Sequence, residues 1–521
     1  MNWKKYKALD DATKHDENYY IIGLDIGNDS SGLAFYNIAD QTPETIDLSG
    51  GYGKPSIPTA MQYIPENKEW IFGEYAVLNR GGGTEITLQA LMSRLGRFDY
   101  IDVDHRSVSV ASVLGLFIKD ILSKVNDINP KAEIVGIVAT VPAYFSEQAR
   151  EEYTRAFKSA GYEKELIAFA SDRECVLARH YQRPLAGTDD TECTLLLDFG
   201  SRELRGGLYD VRARDQSNIT ATSMSSVFDN EVSTTRLNGE VSDMFEGFVL
   251  SHVKPPNASQ TRIMRELTAA FTYQNKDALF QKAINQRPLK LYFNFAYPPF
   301  QESVDKSQMA GIIKPYSVQF NSFIQSVLEK SLYDSTVSVE NIDTVLCVGG
   351  GFEMLWAKDA IDEIFTKEQV RWFRNPKMIT AEGAALVAAR FLDAADGTAL
   401  TIKDEHQLTG DIGLLAGEDF LPLVERNAFW WQNHLAKLVL VNEVIDGELE
   451  IDLAERPTSG DLRIIGRIKL EGLPKRPKGV TRLQISAKFE SNKELILSIE
   501  DMGFGELFPK AEYERFIEVK I

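Results

Sequence analysis

Cysteine is scarce in this chain: Cys175, Cys193 and Cys347 are the only three in 521 residues. So widely spaced, they match no metal-binding pattern and cannot form a disulfide framework, which makes a reducing cytoplasm the simplest setting. Positive charge is in deficit as well. Lys and Arg number 57 against 76 Asp and Glu, a formal net charge of -19. Such a surface argues against nucleic acid as a partner, while leaving room for a local basic groove. Long apolar runs are also missing. The best candidate, residues 108–118, is cut short by Lys119 and Asp120, and the polar start MNWKKYKALDDATKHDENYY has no segment of signal-peptide type. Neither a membrane span nor a leader is expected, and residues 1–18 read as a polar tail.

What is present is enough hydrophobic sequence, 44%, to fill real cores, and a length that suggests about three or four domains. One pattern occurs twice, at residues 21–36 (IIGLDIGNDSSGLAFY) and 195–209 (LLLDFGSRELRGGLY). Each copy is an apolar run, Asp-x-Gly, a short polar turn and a second apolar run, which reads as two antiparallel strands joined by a tight hairpin. Glycine at the turns lets the backbone come close to a ligand, so that successive N–H groups can face one anion. Asp25 and Asp198 would then sit at strand ends, where a carboxylate either caps its turn or holds a hydrated cation. Two such hairpins face to face would clamp a metal-bound polyphosphate.

The rest of the chain alternates strand and helix up to about residue 392, an α/β pattern. Residues 70–79 (WIFGEYAVLN) begin as a strand and turn helical after Gly73, and residues 107–128 have apolar residues at helical spacing. Residues 134–141 (IVGIVATV) form a buried-strand pattern ending at Pro142, and the helix 146–160 opens on Ser146 and closes on Gly161. Helices are expected at 245–252, 260–282 and 319–333. Residues 344–351 (TVLCVGGG) run from a strand into three glycines and then a helix from about 353, which places backbone donors and a helix N-terminus at one spot. Residues 380–392 (TAEGAALVAARFL) form a small-residue helix suited to close packing, and 393–409 read as a patternless polar linker. From Gly410 the texture changes to short alternating strands at 421–424, 437–441, 448–453, 462–470, 482–489 and 495–499. They predict an antiparallel β-sandwich over 410–508, with 509–521 as a tail.

The most specific words are IVATVPAYFSEQAREEYTRAFKSAGY (137–162), VLCVGGG (345–351), NPKMITAEGAALVAA (375–389) and LEGLPKRPKGV (470–480). In this order, over roughly residues 20–505, they resemble the 70-kDa heat-shock, or DnaK-like, chaperone family. The resemblance implies a two-lobed actin-like (ribonuclease H-like) ATPase domain. Lobe I would cover 19–193, and lobe II 194–392, with a helix returning to lobe I. The linker and then the β-sandwich, as a peptide-binding domain, would follow. It implies ATP or ADP with Mg2+ as cofactor, extended segments of client proteins as ligands, and co-chaperones as partners. Carried over position by position, Asp25 and Gly27, followed by Asn28 and Asp29, match the first phosphate loop. Asp198 and Gly200, followed by Ser201 and Arg202, match the second. Gly349, Gly350 and Gly351 fall on the adenosine loop, Glu240 on a nucleotide-contacting acid, and Lys276 on a lysine near the adenosine. Asp25, Asp172 and Asp198 take the catalytic places, with Asp25 and Asp198 reaching the metal through water. Pro142 and Arg150 match a pair that relays nucleotide state. Leu414, Leu415 and Phe420 align near the peptide-contacting loops, or else belong to the sandwich core.

Departures from the family cluster at the γ-phosphate and the adenine. Asn28 replaces a threonine, GSRE replaces Gly-Gly-Gly-Thr, and Arg205 replaces an aspartate. The catalytic lysine falls on Met92, with Arg94 near the same place, and a glutamate falls on Asp172. Two adenine-stacking arginines fall on Asp277 and Glu353, and a metal-side acid falls on Lys377. Phosphoryl transfer depends on positioned positive charge, so hydrolysis is expected to be slow or absent. Glu203 would repel phosphate unless Arg202 or Arg205 offset it. About fifteen residues follow Glu506, too few for the family's helical lid. Two functions stay open: an atypical lidless chaperone that binds ATP and peptide, or a scaffold of the same fold that has lost the nucleotide cycle.

Overall fold

The computed structural model of the chain describes residues 9, 17–79, 85–97, 99–142, 145–182, 191–215, 218–255, 257–282, 287–329, 337–395, 399–403, 410–416, 419–425, 436–441, 443–457, 462–491 and 494–520. The chain divides into two compact units, Met1–Lys403 and Asp404–Ile521.

The first unit holds two six-stranded sheets built on one plan. In one, the order is Leu166–Ser171, Glu133–Val141, Tyr19–Ile26, Ser30–Asn37 and Thr42–Thr45, with Ser56–Pro58 also paired to Ser30–Asn37. In the other it is Val370–Trp372, Thr344–Val348, Thr191–Phe199, Leu204–Asp215, Asn218–Asp229 and Ala399–Lys403. Each has an antiparallel hairpin at its centre, flanked on one side by two parallel strands. The parallel strands are those whose sequences are near-continuous apolar runs, because both of their faces are covered. Strand 344–348 is buried at every position.

Local chemistry explains the helix that braces the first sheet. Ser146 Oγ accepts the Ala149 N–H at the start of Glu147–Ala160, and Gly161 ends it at a φ of 92°. Tyr153 and Phe157 on this helix share a core with Phe117 and Ile121 of Val110–Ser123. The small-residue helix Ile379–Phe391 follows five of the second sheet's six strands in sequence yet packs on the first sheet, where Ala381, Ala384 and Ala385 meet Ile21, Ala34 and Val138. Size is the reason for its composition. A Cβ on Gly383 would lie 1.9 Å from the Cys175 carbonyl oxygen, and one on Gly23 would lie 2.1 Å from that of Ala381.

Three expectations for this unit change, the first being that the helix expected at 245–252 begins at Thr234. The helix expected from residue 319 begins at Lys306 and runs to Glu329 with Pro315 inside it. One backbone hydrogen bond is lost there, while burial of Met309, Ile313, Phe320 and Phe323 holds the helix in place. Residues 330–333, expected to continue it, lie outside the described residues. The patternless linker contains a strand, Ala399–Lys403, paired in parallel with Asn218–Asp229. Leu400 and Ile402 pack beside Val211, Ile219 and Ala221, so the Leu-Thr-Ile-Lys alternation is that of a half-buried edge strand.

The second unit has two four-stranded antiparallel sheets. Their orders are Asp419–Val424, Gly410–Ala416, Glu448–Pro457, Arg463–Glu471 and Lys437–Val441, Thr481–Ser491, Glu494–Asp501, Glu514–Lys520. Buried residues of both sheets form one core, among them Ile412, Leu453, Ile468, Ile485 and Leu497. The tail expected from residue 509 instead contains a strand that pairs with Glu494–Asp501. Ile517 and Val519 face the core, but Phe516 points out and is 67% exposed, which hid the alternation in the sequence. Leu414 is a core residue, 3% exposed, and so is not available to a peptide as aligned. Leu415 and Phe420 are cross-strand partners, half-buried, with the Arg456 guanidinium 4.1 Å from the Phe420 ring.

Among the described residues no helix is long and apolar enough to cross a membrane.

Candidate functional site

The two hairpin turns close with the same bond. Gly27 N–H donates to the Ser30 carbonyl at 3.0 Å, and Gly200 N–H donates to the Glu203 carbonyl at 3.0 Å. In the first hairpin Ile26 pairs with Ser31, and in the second Phe199 pairs with Leu204, so each Asp-x-Gly delivers its aspartate to the strand end just before the turn. A Cβ on Gly27 would come within 2.7 Å of the Ser30 oxygen, which explains the glycine. The second turn is further tied down, because the Thr234 and Thr235 N–H groups at the start of helix Thr234–His252 donate to the Gly200 and Ser201 carbonyls at 3.1 and 3.0 Å.

Both turns line one cavity of about 480 Å3, the size of a small-molecule site. Of the residues carried over from the resemblance, Asp25, Gly27, Asn28, Asp29, Pro142, Asp172, Asp198, Gly200, Ser201, Arg202, Lys276, Gly349 and Gly350 all line it. Gly349, at φ +91°, packs where a Cβ would be 2.6 Å from Asp198 Oδ1. Gly351 lies behind the wall, where a Cβ would strike the Phe199 ring at 2.1 Å.

Two expected residues are elsewhere. Glu240 is exposed and lines a separate cavity with Arg236, Asp243 and Tyr316. The same helix presents Thr234 and Asn238 to the cleft. Two residues on from Asn238 is about 200° around a helix, so Glu240 cannot share that face. Arg150, expected to relay nucleotide state rather than to touch the ligand, donates from Nε to the Phe145 carbonyl at 3.3 Å. Arg94 pairs with Asp99 at 3.2 Å rather than lining the cleft, leaving the buried Met92 on that wall. Sequence reasoning missed Thr140, Asn238, Lys358 and Arg374, which also line the cavity. Asn238 was readable as the i+4 partner of Thr234. Thr140 sits on a strand whose apolar run hid it.

Charge is concentrated on the floor. Asp25 accepts a hydrogen bond from the Thr140 hydroxyl at 2.5 Å. Burial pushes its carboxyl up to about 6, against that bond, with Asp172 adding to the rise and Arg205 opposing it. Burial likewise raises Asp198 to about 7; Arg205 opposes the rise, and Asp172, Asp25 and Glu203 increase it. Arg205 lies among these acids. Its Nη1 contacts Asp172 Oδ2 and lies 3.9 Å from Asp198 Oδ2, and its Nε is 2.7 Å from Glu203 Oε1. Asn28 is also engaged, its side-chain carbonyl accepting the Ser93 N–H at 3.0 Å. On the opposite wall, Lys377 pairs with Glu353 at 2.7 Å and Lys276 with Asp277 at 3.3 Å. Arg202 is exposed and forms no ion pair among the described residues.

The Mg2+ expected between Asp25 and Asp198 does not fit this arrangement. Arg205 already engages Asp172 and Glu203 and lies 3.9 Å from Asp198, so a dication there would compete with the guanidinium for the same carboxylates. Among the described residues, no group of three or more His, Cys, Asp or Glu side chains is placed to hold a metal.

Comparison with known proteins points to one class. Over nearly its whole length the chain shows distant similarity to chaperones of the DnaK type. It is 24% identical over 505 residues to the chaperone protein DnaK of Thermosipho melanesiensis, a match covering 93% of this chain and 79% of that one. The DnaK of Thermosipho africanus is 24% identical over 505 residues (93% and 78% covered), and that of Thermotoga neapolitana 23% over 498 residues (94% and 80%). Residues 415–520 match a domain of unknown function (DUF8552), and residues 42–184 match the C-terminal part of a family of unknown function (DUF5716).

Proposed function

We propose that this chain is a DnaK-like chaperone whose first unit, a two-lobed actin-like domain, binds a nucleoside polyphosphate such as ATP or ADP. Its β-domain would bind an extended apolar peptide. The observation that carries the reading is the convergence of two equivalent Asp-x-Gly turns and the Gly349–Gly350 loop on one cavity. The distant DnaK similarity over 93% of the chain supports the same assignment. Phosphates would lie along the two turns, with Lys276, Lys358 and Arg374 supplying charge from the walls. Hydrolysis is slow or absent in this reading, because the thioether of Met92 stabilises no transition-state charge and Arg205 is already engaged by Asp172 and Glu203. Phe420, on the edge strand Asp419–Val424, is the residue offered for strand-type pairing with a peptide, and its cross-strand partner Leu415 is offered only for side-chain contact.

Calorimetric titration of ATP and ADP into the full chain, followed by peptide binding with and without ATP, tests this. Saturable binding of either nucleotide and an ATP-dependent change in peptide affinity are the expected results. No nucleotide binding would refute the reading and favour a scaffold that has kept the fold alone. That second reading draws on the ion pairs that already fill the cleft, Lys377 with Glu353 and Arg205 with Asp172.

A further inference from the structure

We propose that Arg205 is a built-in cation: its guanidinium takes the place of a bound metal ion, and the cleft accepts a metal-free nucleoside polyphosphate. The inference rests on the nucleotide reading above and concerns what the ligand brings with it.

Three acids on separate elements face this side chain. Asp198 is the next-to-last residue of the strand Thr191–Phe199, Glu203 belongs to the turn that follows, and Asp172 opens the helix Asp172–His180 from the other half of the unit. Nε on Glu203 at 2.7 Å, Nη1 on Asp172, and Nη1 at 3.9 Å from Asp198 place one fixed positive charge where the two hairpins meet. A metal ion at such a place neutralises neighbouring carboxylates and counters the charge of a phosphate tail. The guanidinium does the first without a free ion. The second falls to Lys276, Lys358, Arg374, Lys377 and Arg202, five further cations on the same cavity. A hydrated dication would have to displace Arg205 from its carboxylates and then leave the half-buried guanidinium beside a larger positive charge. The carboxylates that would compensate it are the ones the guanidinium already engages. Bidentate, planar recognition also suits Arg205 to phosphate itself if a ligand oxygen draws it from Asp172.

The test is calorimetric titration of ATP into the full chain with excess Mg2+ and again in EDTA, for the natural protein and for Arg205→Ala. The natural protein is expected to bind with dissociation constants within about threefold of each other. Arg205→Ala, by contrast, should need Mg2+ and lose about tenfold or more in EDTA. A tenfold loss for the natural protein in EDTA, or a metal-independent Arg205→Ala, would overturn the inference while leaving the nucleotide reading intact. No ATP binding under either condition removes both. Should Arg205→Ala fail to fold, thermal melting of the natural protein with Mg2+ alone still decides: no shift is expected, and stabilisation by Mg2+ without nucleotide would overturn the proposal.

Discussion

Removing the Asp501 carboxylate leaves a guanidinium buried without its counter-ion. Arg476 is 5% exposed and Asp501 is fully buried, joined by two bonds of 2.5 and 2.7 Å. The Ala511 N–H also donates to Asp501 at 2.7 Å, and the Pro509 carbonyl accepts from Arg476 at 2.8 Å. Breaking a buried pair from one side costs about 3–5 kcal/mol, and the orphaned N–H adds about 1 kcal/mol. In a unit of this size, about 4 kcal/mol lowers the melting transition by roughly 15 °C. Differential scanning calorimetry of full-length Asp501→Ala reads this directly. The double variant Arg476→Met, Asp501→Leu should lose much less than the sum of the single variants, because no charge is left stranded. The pH dependence has a definite sign. Burial opposes the charge on Asp501, but Arg476 and the backbone donors hold its carboxyl below the usual range. Its contribution to stability is therefore full above the ordinary carboxylate value of about 4 and is lost as the pH falls through the lower folded value. A shift smaller than about 3 °C for Asp501→Ala would refute this reasoning.

Three other outcomes follow from the geometry. Gly383→Val drives a side chain into the Cys175 carbonyl and should destabilise the first unit by about 3 kcal/mol or more, seen as a lower first melting transition. Asp25 and Asp198 have raised values, about 6 and about 7. They stabilise the ligand-free fold fully below about pH 4, and that contribution is lost as the pH rises through those values. The ligand-free melting temperature should accordingly fall between about pH 4 and pH 7 and level off above that, with a flatter profile for Asp25→Asn, Asp198→Asn. Asn238→Ala, which alters the cleft, should weaken ATP binding about tenfold, whereas Glu240→Ala should leave the dissociation constant unchanged; titration of both variants checks the helix face assigned to each.

The parts of this protein legible in its sequence are those where local pattern and tertiary role agree. The Asp-x-Gly repeat foretold two turns that share even their closing hydrogen bond, and Ser146 and Gly161 marked both ends of their helix. The strand at 399–403 was hidden by being only five residues long and half polar, and the one at 514–520 by Phe516 facing outward. The word LEGLPKRPKGV stood out without a role; Arg476 gives it one, as the partner of a buried aspartate 25 residues further on. Glu240 lies on a different face of its helix from Thr234 and Asn238, which a two-residue offset in the sequence does not show. The sign of the cleft's central charge needed coordinates, since sequence could not say whether Arg205 pairs with Glu203, with Asp172 or with a ligand.

Hydrogen exchange with and without ATP tests the shared cleft most directly. Nucleotide should slow exchange together in the turns at residues 27–30 and 200–203 and in the loop at 349–351, leaving the cavity beside Glu240 and Tyr316 unchanged. Protection of one turn without the other, or of neither, would contradict a single ligand held between the two hairpins.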